Sequence, residues 1–148
     1  MPWVTCGIIC KDCPSPRYYA VFETNVLVSA LLTGNPESPT VALLDLVVNR
    51  TIVPLYNAEI LQEYRDVLGR TKFRFNKKRV DAVLTAIQRG IAVDRTPADW
   101  NFPDEDDIVF YEVALSIDEA YLITGNTRHF PPVTKVVTPA EMLKIIKA

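Results

Sequence analysis

Carboxylates are the side chains through which this chain can do chemistry. Asp104-Glu105-Asp106-Asp107 sets four of them in a row, ahead of a largely apolar run from Ile108 to Ile117 and the segment Tyr121-Leu122-Ile123-Thr124-Gly125-Asn126. Four adjacent negative charges repel one another at neutral pH. A helix N-terminus eases this, because its free N–H groups and dipole favour negative charge. A divalent cation eases it far more, since hard cations take oxygen ligands. A solvated acidic cap on an ordinary helix is the plainer reading of the same residues. Two further acids bear on the choice: Glu23, just after the first apolar run, and Glu63, on the flank of a middle helix.

Other chemistries find little support. There is no glycine-rich phosphate loop, which argues against a nucleotide triphosphatase. A single histidine, His129, leaves no Ser–His or Cys–His pair to build a nucleophile on. The three cysteines, Cys6, Cys10 and Cys13, have the C-x3-C-x2-C spacing of radical S-adenosylmethionine enzymes. Those enzymes are much larger barrels, however, and usually carry an aromatic where Asp12 stands. A structural zinc site needs four ligands. The stretch lacks the basic start and long apolar run of a secretory signal. Residues 1–16 therefore read as an N-terminal extension bearing reduced thiols, as expected of a cytoplasmic protein. Oxygen-only ligands suit Mg²⁺ or Mn²⁺ and argue against zinc. Carboxylate-bound Mg²⁺ is suited to phosphodiester hydrolysis.

At 148 residues the chain fits one domain with a sizeable core. No apolar run approaches the roughly 18 residues of a membrane span. The formal charge of -2 creates no global basic field for a nucleic acid, although a local basic strip suffices for binding. That strip is Arg70-Thr71-Lys72-Phe73-Arg74-Phe75-Asn76-Lys77-Lys78-Arg79, where cations alternate with two aromatics. Phosphate contacts and base stacking both use such a pattern. A solvated loop with both phenylalanines packed inward is the alternative.

The acids need elements to position them. The domain proper starts at residue 17. Tyr18 to Phe22 has the apolar run of a strand buried on both faces. Glu23-Thr24-Asn25 ends it, with Thr24 or Asn25 expected to cap a short helix over Val26 to Leu32. Ser38 and Pro39 suit N-cap and N1 of a second helix, to about Asn49. Thr51 to Leu55 reads as strand, and Asn57 caps a helix to about Gly69. Asn76 caps another, ending near Gly90, before a short strand at Ile91 to Val93 and a loop from Pro97 to Pro103. A helix is expected from about Asp106 to Ile117, then strands at Tyr121 to Thr124 and Lys135 to Val137. Thr138-Pro139-Ala140-Glu141 supplies cap, N1 proline and capping-box glutamate for a last helix. Alternating strands and helices predict a central parallel sheet of about five strands covered on both faces. In such a sheet the strand C-termini share one edge, where ligands bind. Glu23, Glu63, Asp104, Asp106, Asp107 and Asn126 all belong near that edge.

On these residues the chain resembles a PIN-domain protein, of the kind that serves as the toxin ribonuclease of toxin–antitoxin pairs. The resemblance covers residues 17–148. Phe22-Glu23-Thr24-Asn25-Val26 resembles the family's opening Asp-Thr-Asn-Val segment. Glu59 to Leu68 with Lys72-Phe73 resembles its central helix, with Glu63 at the acidic position. Pro103 to Asp107 resembles the third acidic segment, and Thr124-Gly125-Asn126 the fourth, usually Thr-Gly-Asp or Thr-Gly-Asn. The resemblance implies an α/β/α sandwich and a Mg²⁺- or Mn²⁺-dependent endoribonuclease. It also implies a homodimer and a cognate antitoxin that blocks the site. Glu23, Glu63 and Asp107 would hold the metal, near Asp104 and Asp106. Asn126 would complete the catalytic set, Asn25 and Thr124 would orient water or carboxylates, and Arg70, Lys72, Arg74, Lys77 and Lys78 would bind RNA. One departure stands out: Glu23 replaces the family aspartate, and an extra methylene moves the carboxylate in a site that tolerates little misplacement. Three rival readings compete with this one. The first is a catalytically weakened PIN module that binds RNA or a partner protein. Another is a flap-type DNA nuclease, for which no added DNA-binding element is present. The last is a receiver-like phosphoacceptor using Thr124 and Lys135, whose acid pair should come directly after strand one.

Overall fold

The computed structural model describes residues 17–147. Residues 1–16, the expected N-terminal extension with its three reduced cysteines, lie outside the described residues. Five parallel strands form one sheet: β1 (Tyr18–Phe22), β2 (Ile52–Tyr56), β3 (Ile91–Ala92), β4 (Tyr121–Ile123) and β5 (Val136–Val137), in the order β3-β2-β1-β4-β5. Six helices flank it: α1 (Thr24–Leu32), α2 (Pro39–Val48), α3 (Ala58–Leu68), α4 (Lys77–Gln88), α5 (Ile108–Leu115) and α6 (Pro139–Lys147). This is the expected parallel α/β/α architecture.

β1 is central because its sequence can be buried on both faces. Ala20, Val21 and Phe22 are fully buried. It pairs with β2 from Tyr18↔Ile52 to Ala20↔Pro54, and with β4 from Ala20↔Tyr121 to Phe22↔Ile123. α5 lies across β2, β1 and β4. It is apolar almost all round, Glu112 being its one charge, and Val109, Phe110, Tyr111, Val113 and Ala114 are all buried. α2 and α4 pack against β2 and each other, and α6 packs on α2. Gly90 enters β3 so close to β2 that a β-carbon there would lie 1.9 Å from the Pro54 carbonyl oxygen, so any larger residue must displace backbone. Among the described residues no helix is long and apolar enough to cross a membrane.

The structure corrects several expected boundaries. α1 begins at Thr24, not Val26, and its N-cap is Glu23 rather than Thr24 or Asn25: the Glu23 carboxylate accepts from the Asn25 backbone N–H at 2.9 Å. The expected helix from Asp106 to Ile117 divides into a 3-10 turn at Glu105–Asp107 and α5 proper. The cause is Asp104, whose side chain accepts from the Asp106 N–H at 2.9 Å and closes a tight turn first. Lys135 stands ahead of β5, at the end of the sheet away from the acids. Its ammonium donates to the carbonyls of Ala114, Ile117 and Ala120, at 2.9, 3.2 and 3.0 Å. It thus ties off the C-terminus of α5, and the receiver-like reading loses its lysine.

Candidate active site

Every strand runs the same way, so the residues just past each strand's C-terminus gather along one edge. Glu23 comes directly after β1, Thr124 directly after β4, and α3 starts just after β2. Glu23 is buried, and both of its oxygens are used. Oε2 accepts from the Asn25 N–H, and Oε1 accepts from the Thr124 hydroxyl at 3.0 Å. Thr124 in turn accepts from the Asn126 N–H at 3.0 Å. A single buried hydroxyl therefore links the first and fourth acidic segments. The longer arm of Glu23 is taken up in both capping α1 and reaching across to β4.

Glu63 projects from α3, where Asn57 caps the first turn by accepting from the Ile60 N–H at 2.8 Å. The Thr24 hydroxyl approaches Glu63 Oε2 at 3.5 Å. Burial raises the Glu63 carboxyl above its ordinary value, and the charge of Asp106 adds to the shift, while Arg70 opposes it. One residue on, Tyr64 is fully buried and donates to the Phe22 carbonyl at 2.5 Å, joining α3 to the end of β1. Burial pushes its hydroxyl far up, and the charges of Glu23 and Glu63 both push the same way. Tyr64 thus stays a neutral donor between the two acids.

Asp107 is the buried member of the acid run, whereas Asp104, Glu105 and Asp106 are exposed. Its carboxyl is pushed up to about 6, chiefly by burial, against the lowering effect of a hydrogen bond from His129, with Glu23 and Asp104 adding repulsion. The ring of His129 lies 3.0 Å (Nδ1) from Asp107 Oδ2 and 3.0 Å (Nε2) from the Asn126 side-chain amide. With Asn126 donating to Nε2, the neutral ring carries its proton on Nδ1 and gives it to Asp107. His129 is the site residue that sequence reasoning passed over. Its only sequence signal is a position three residues after Asn126, a single turn of 3-10 helix at Thr127–His129.

The candidate residues therefore divide. Glu23, Glu63, Asp107, Thr124 and Asn126 meet on one edge, each linked to another by a hydrogen bond or by charge. Asn25 takes part through its backbone N–H. Asp104 spends a side-chain oxygen on its own turn, and Asp106 acts on Glu63 only through charge. The basic stretch stands beside the edge, near enough for Arg70 to influence Glu63. Phe73 and Phe75 stack at 5.0 Å, with the Lys72 ammonium 5.1 Å from the Phe73 ring centre. Arg70, Arg74 and Lys77 line a cavity of about 710 Å³ floored by Leu68, Phe75 and Leu84. Lys72 and Lys78 are exposed on the same segment.

The donor set is all oxygen, and Glu23 and Glu63 have no cation in ion-pair range among the described residues. That is the chemistry a hard divalent ion takes. The set is not gathered in advance, since among the described residues no three acid, histidine or cysteine side chains converge closely enough to hold an ion. No curated protein and no solved structure matches the chain. A family model does, the PIN domain, over residues 19–128, which includes all four acidic segments. PIN domains are generally nucleases and typically use divalent metals, and this chain belongs to the PIN-domain family.

Proposed function

We propose that this protein is a metal-dependent endoribonuclease, the toxin of a toxin–antitoxin pair, that hydrolyses RNA phosphodiester bonds at the acid edge. The observation that carries the reading is the placing of Glu23, Glu63 and Asp107, from three distant segments, along one edge, with no lysine or arginine in ion-pair range of them among the described residues. Buried charges left unpaired are costly, and a fold keeps them where a ligand repays the cost. Glu23, Glu63 and Asp107 would hold Mg²⁺ or Mn²⁺, with Asp104 and Asp106 adding negative potential. Such an ion polarises the phosphoryl oxygen and lowers the pKa of the attacking water. Thr124 holds the Glu23 carboxylate in place, and Asn126 with His129 holds that of Asp107. Arg70, Lys72, Arg74, Lys77 and Lys78 supply phosphate contacts along one approach to the edge. A homodimer, a cytoplasmic setting and a blocking antitoxin complete the reading. The exposed apolar side chains Leu32 and Val48, on α1 and α2, suit burial between subunits.

Cleavage of a mixed single-stranded and structured RNA pool tests this, with Mg²⁺, with Mn²⁺ and with EDTA, beside Asp107→Asn. Cutting that needs both metal and Asp107 is expected. Cutting that survives EDTA or the substitution overturns it. A second reading, a PIN module that binds RNA or a protein without cutting it, draws on two observations. Both Glu23 oxygens are already engaged, and the acids are not gathered around a common point. It is the outcome if the protein retains RNA but yields no fragments in either metal.

A further inference from the structure

On the other flank of the acid edge, opposite in character to the basic stretch, lies an aromatic groove that the proposed reaction leaves unused. The loop after β3 carries Trp100 and Phe102. Phe102 is a hub: it meets Trp100 edge-on (4.8 Å, 89°), Phe130 in the same manner (6.3 Å, 83°), and Tyr111 of α5 at a tilt (5.7 Å). Trp100 is thereby held by the core and still 37% exposed. It borders a cavity of about 400 Å³ whose other walls include Arg128, Phe130, Pro131, Pro132 and Val133. That volume is within the roughly 300–1,000 Å³ typical of small-molecule sites. Among the described residues Arg128 has no carboxylate in ion-pair range. Thr127 and Arg128, which line the groove, stand in the chain between Asn126 and His129 of the site and so bring it beside the acid edge.

We infer that this groove is a nucleobase subsite, in which a base next to the scissile phosphate of a single-stranded RNA stacks on Trp100 while Arg128 contacts the adjoining phosphate. The inference rests on the nuclease reading of the acid edge only in making that phosphate the scissile one. Its chemistry comes from the groove. A fixed aromatic gives a base a stacking partner without ordering cost, prolines offer rigid apolar walls, and one unpaired cation suits one phosphate. Arg128, the only charge in the lining, favours an anionic strand over an uncharged protein segment.

The test uses the full chain in EDTA, so that binding is read without turnover. Affinity is measured for a single-stranded oligoribonucleotide and for the same backbone with its bases removed. The intact strand is expected to bind about tenfold more tightly, with Trp100→Ala abolishing the difference and Trp100→Phe keeping part of it. Arg128→Ala should weaken both strands alike and lower the salt dependence by about one phosphate contact. Trp100→Phe, which keeps the ring on Phe102, serves if the alanine variant fails to fold. Equal affinity for the two strands, or a folded Trp100→Ala that still tells them apart, overturns the inference even if metal then restores cutting. Base-dependent binding through Trp100 with no cutting in Mg²⁺ or Mn²⁺ leaves the subsite standing and removes the nuclease reading. No binding to either strand removes the subsite.

Discussion

Two carboxylate clusters, built on the same helices, are treated in opposite ways. Glu59 opens α3 and Glu112 lies on α5, and Arg95 joins them at 2.8 and 2.7 Å. Glu112 also accepts from the Ala98 N–H at 2.8 Å, so this cluster has its donors in place. One turn along α3 from Glu59 stands Glu63, and just ahead of α5 stands Asp107. These acids, with Glu23, have hydroxyls, one backbone N–H and a histidine for company, and no arginine or lysine bonded to them. In the first cluster one guanidinium bonds both carboxylates, and it fastens α3, α5 and the loop after β3. The second has no such cation bonded to it, and burial with mutual repulsion resists the ionisation of Glu63 and Asp107. The difference marks structure against site: ion-paired acids spend their charge within the fold, and acids without a paired cation remain available to a ligand.

Substitutions should separate the two clusters. Asp107→Asn is expected to have the largest effect, about a 10²–10³-fold loss of RNA cleavage, as for removal of one group that stabilises charge in a transition state. It should also alter the pH dependence of stability. Folded Asp107 keeps its proton to about pH 6, against an ordinary value of 3.8. Between those values the folded chain holds a proton that the unfolded chain has lost. This group's contribution to stability therefore falls as pH rises through that window and is level above it. Denaturation of wild type and Asp107→Asn from pH 3.5 to 7.5, roughly bracketing the window, should show the difference between them declining as pH rises; a constant difference would mean that Asp107 titrates normally. Next comes His129→Ala, expected to cost about 10–100-fold in Mn²⁺ affinity read by electron paramagnetic resonance, because the ring orients a ligand without being one. His129→Gln should recover part of that loss, and equal losses in both would contradict an orienting role.

Thr124→Val should act on stability and site together. It leaves the Asn126 N–H and one Glu23 oxygen without the hydroxyl that joins them, at about 1–3 kcal/mol in chemical denaturation. Unchanged stability would mean that water replaces the hydroxyl. The smallest effect belongs to the ion-paired cluster. Arg95→Ala should cost about 1 kcal/mol, since Arg95 and Glu59 are partly exposed and the more buried Glu112 keeps its bond from the Ala98 N–H, and leave cleavage at wild-type level. A loss of cleavage there would erase the distinction drawn between the clusters.

The parallel sheet and the acid edge were legible in the sequence because each depends on local pattern. Buried runs such as Tyr18–Phe22 announce strands, and Asn57, Asn76 and Thr138 cap helices through bonds to residues two or three further on. The details that escaped are long-range or involve a side chain in two roles. Nothing local shows that Glu23 both caps α1 and reaches Thr124, or that His129 turns back to Asp107. Periodicity likewise merged the Glu105–Asp107 turn with α5, since an acid run and an apolar run differ in polarity without marking where the backbone tightens. Trp100 sits in a stretch without periodicity, so its place beside the edge depended on Phe102 packing onto Tyr111 and Phe130.

The hydrogen bond between Glu23 and Thr124 spans 101 positions in the chain, and β4 lies beside β1 in the sheet. A growing polypeptide that ends before β4 has neither Thr124 nor Asn126, and Glu23 then faces the empty flank of β1. Synthesis proceeds at about 5–20 residues per second, with domains folding as units. The acid edge therefore comes into being only after β4 has been made. A chain that cuts RNA would be inert until that point of its own synthesis.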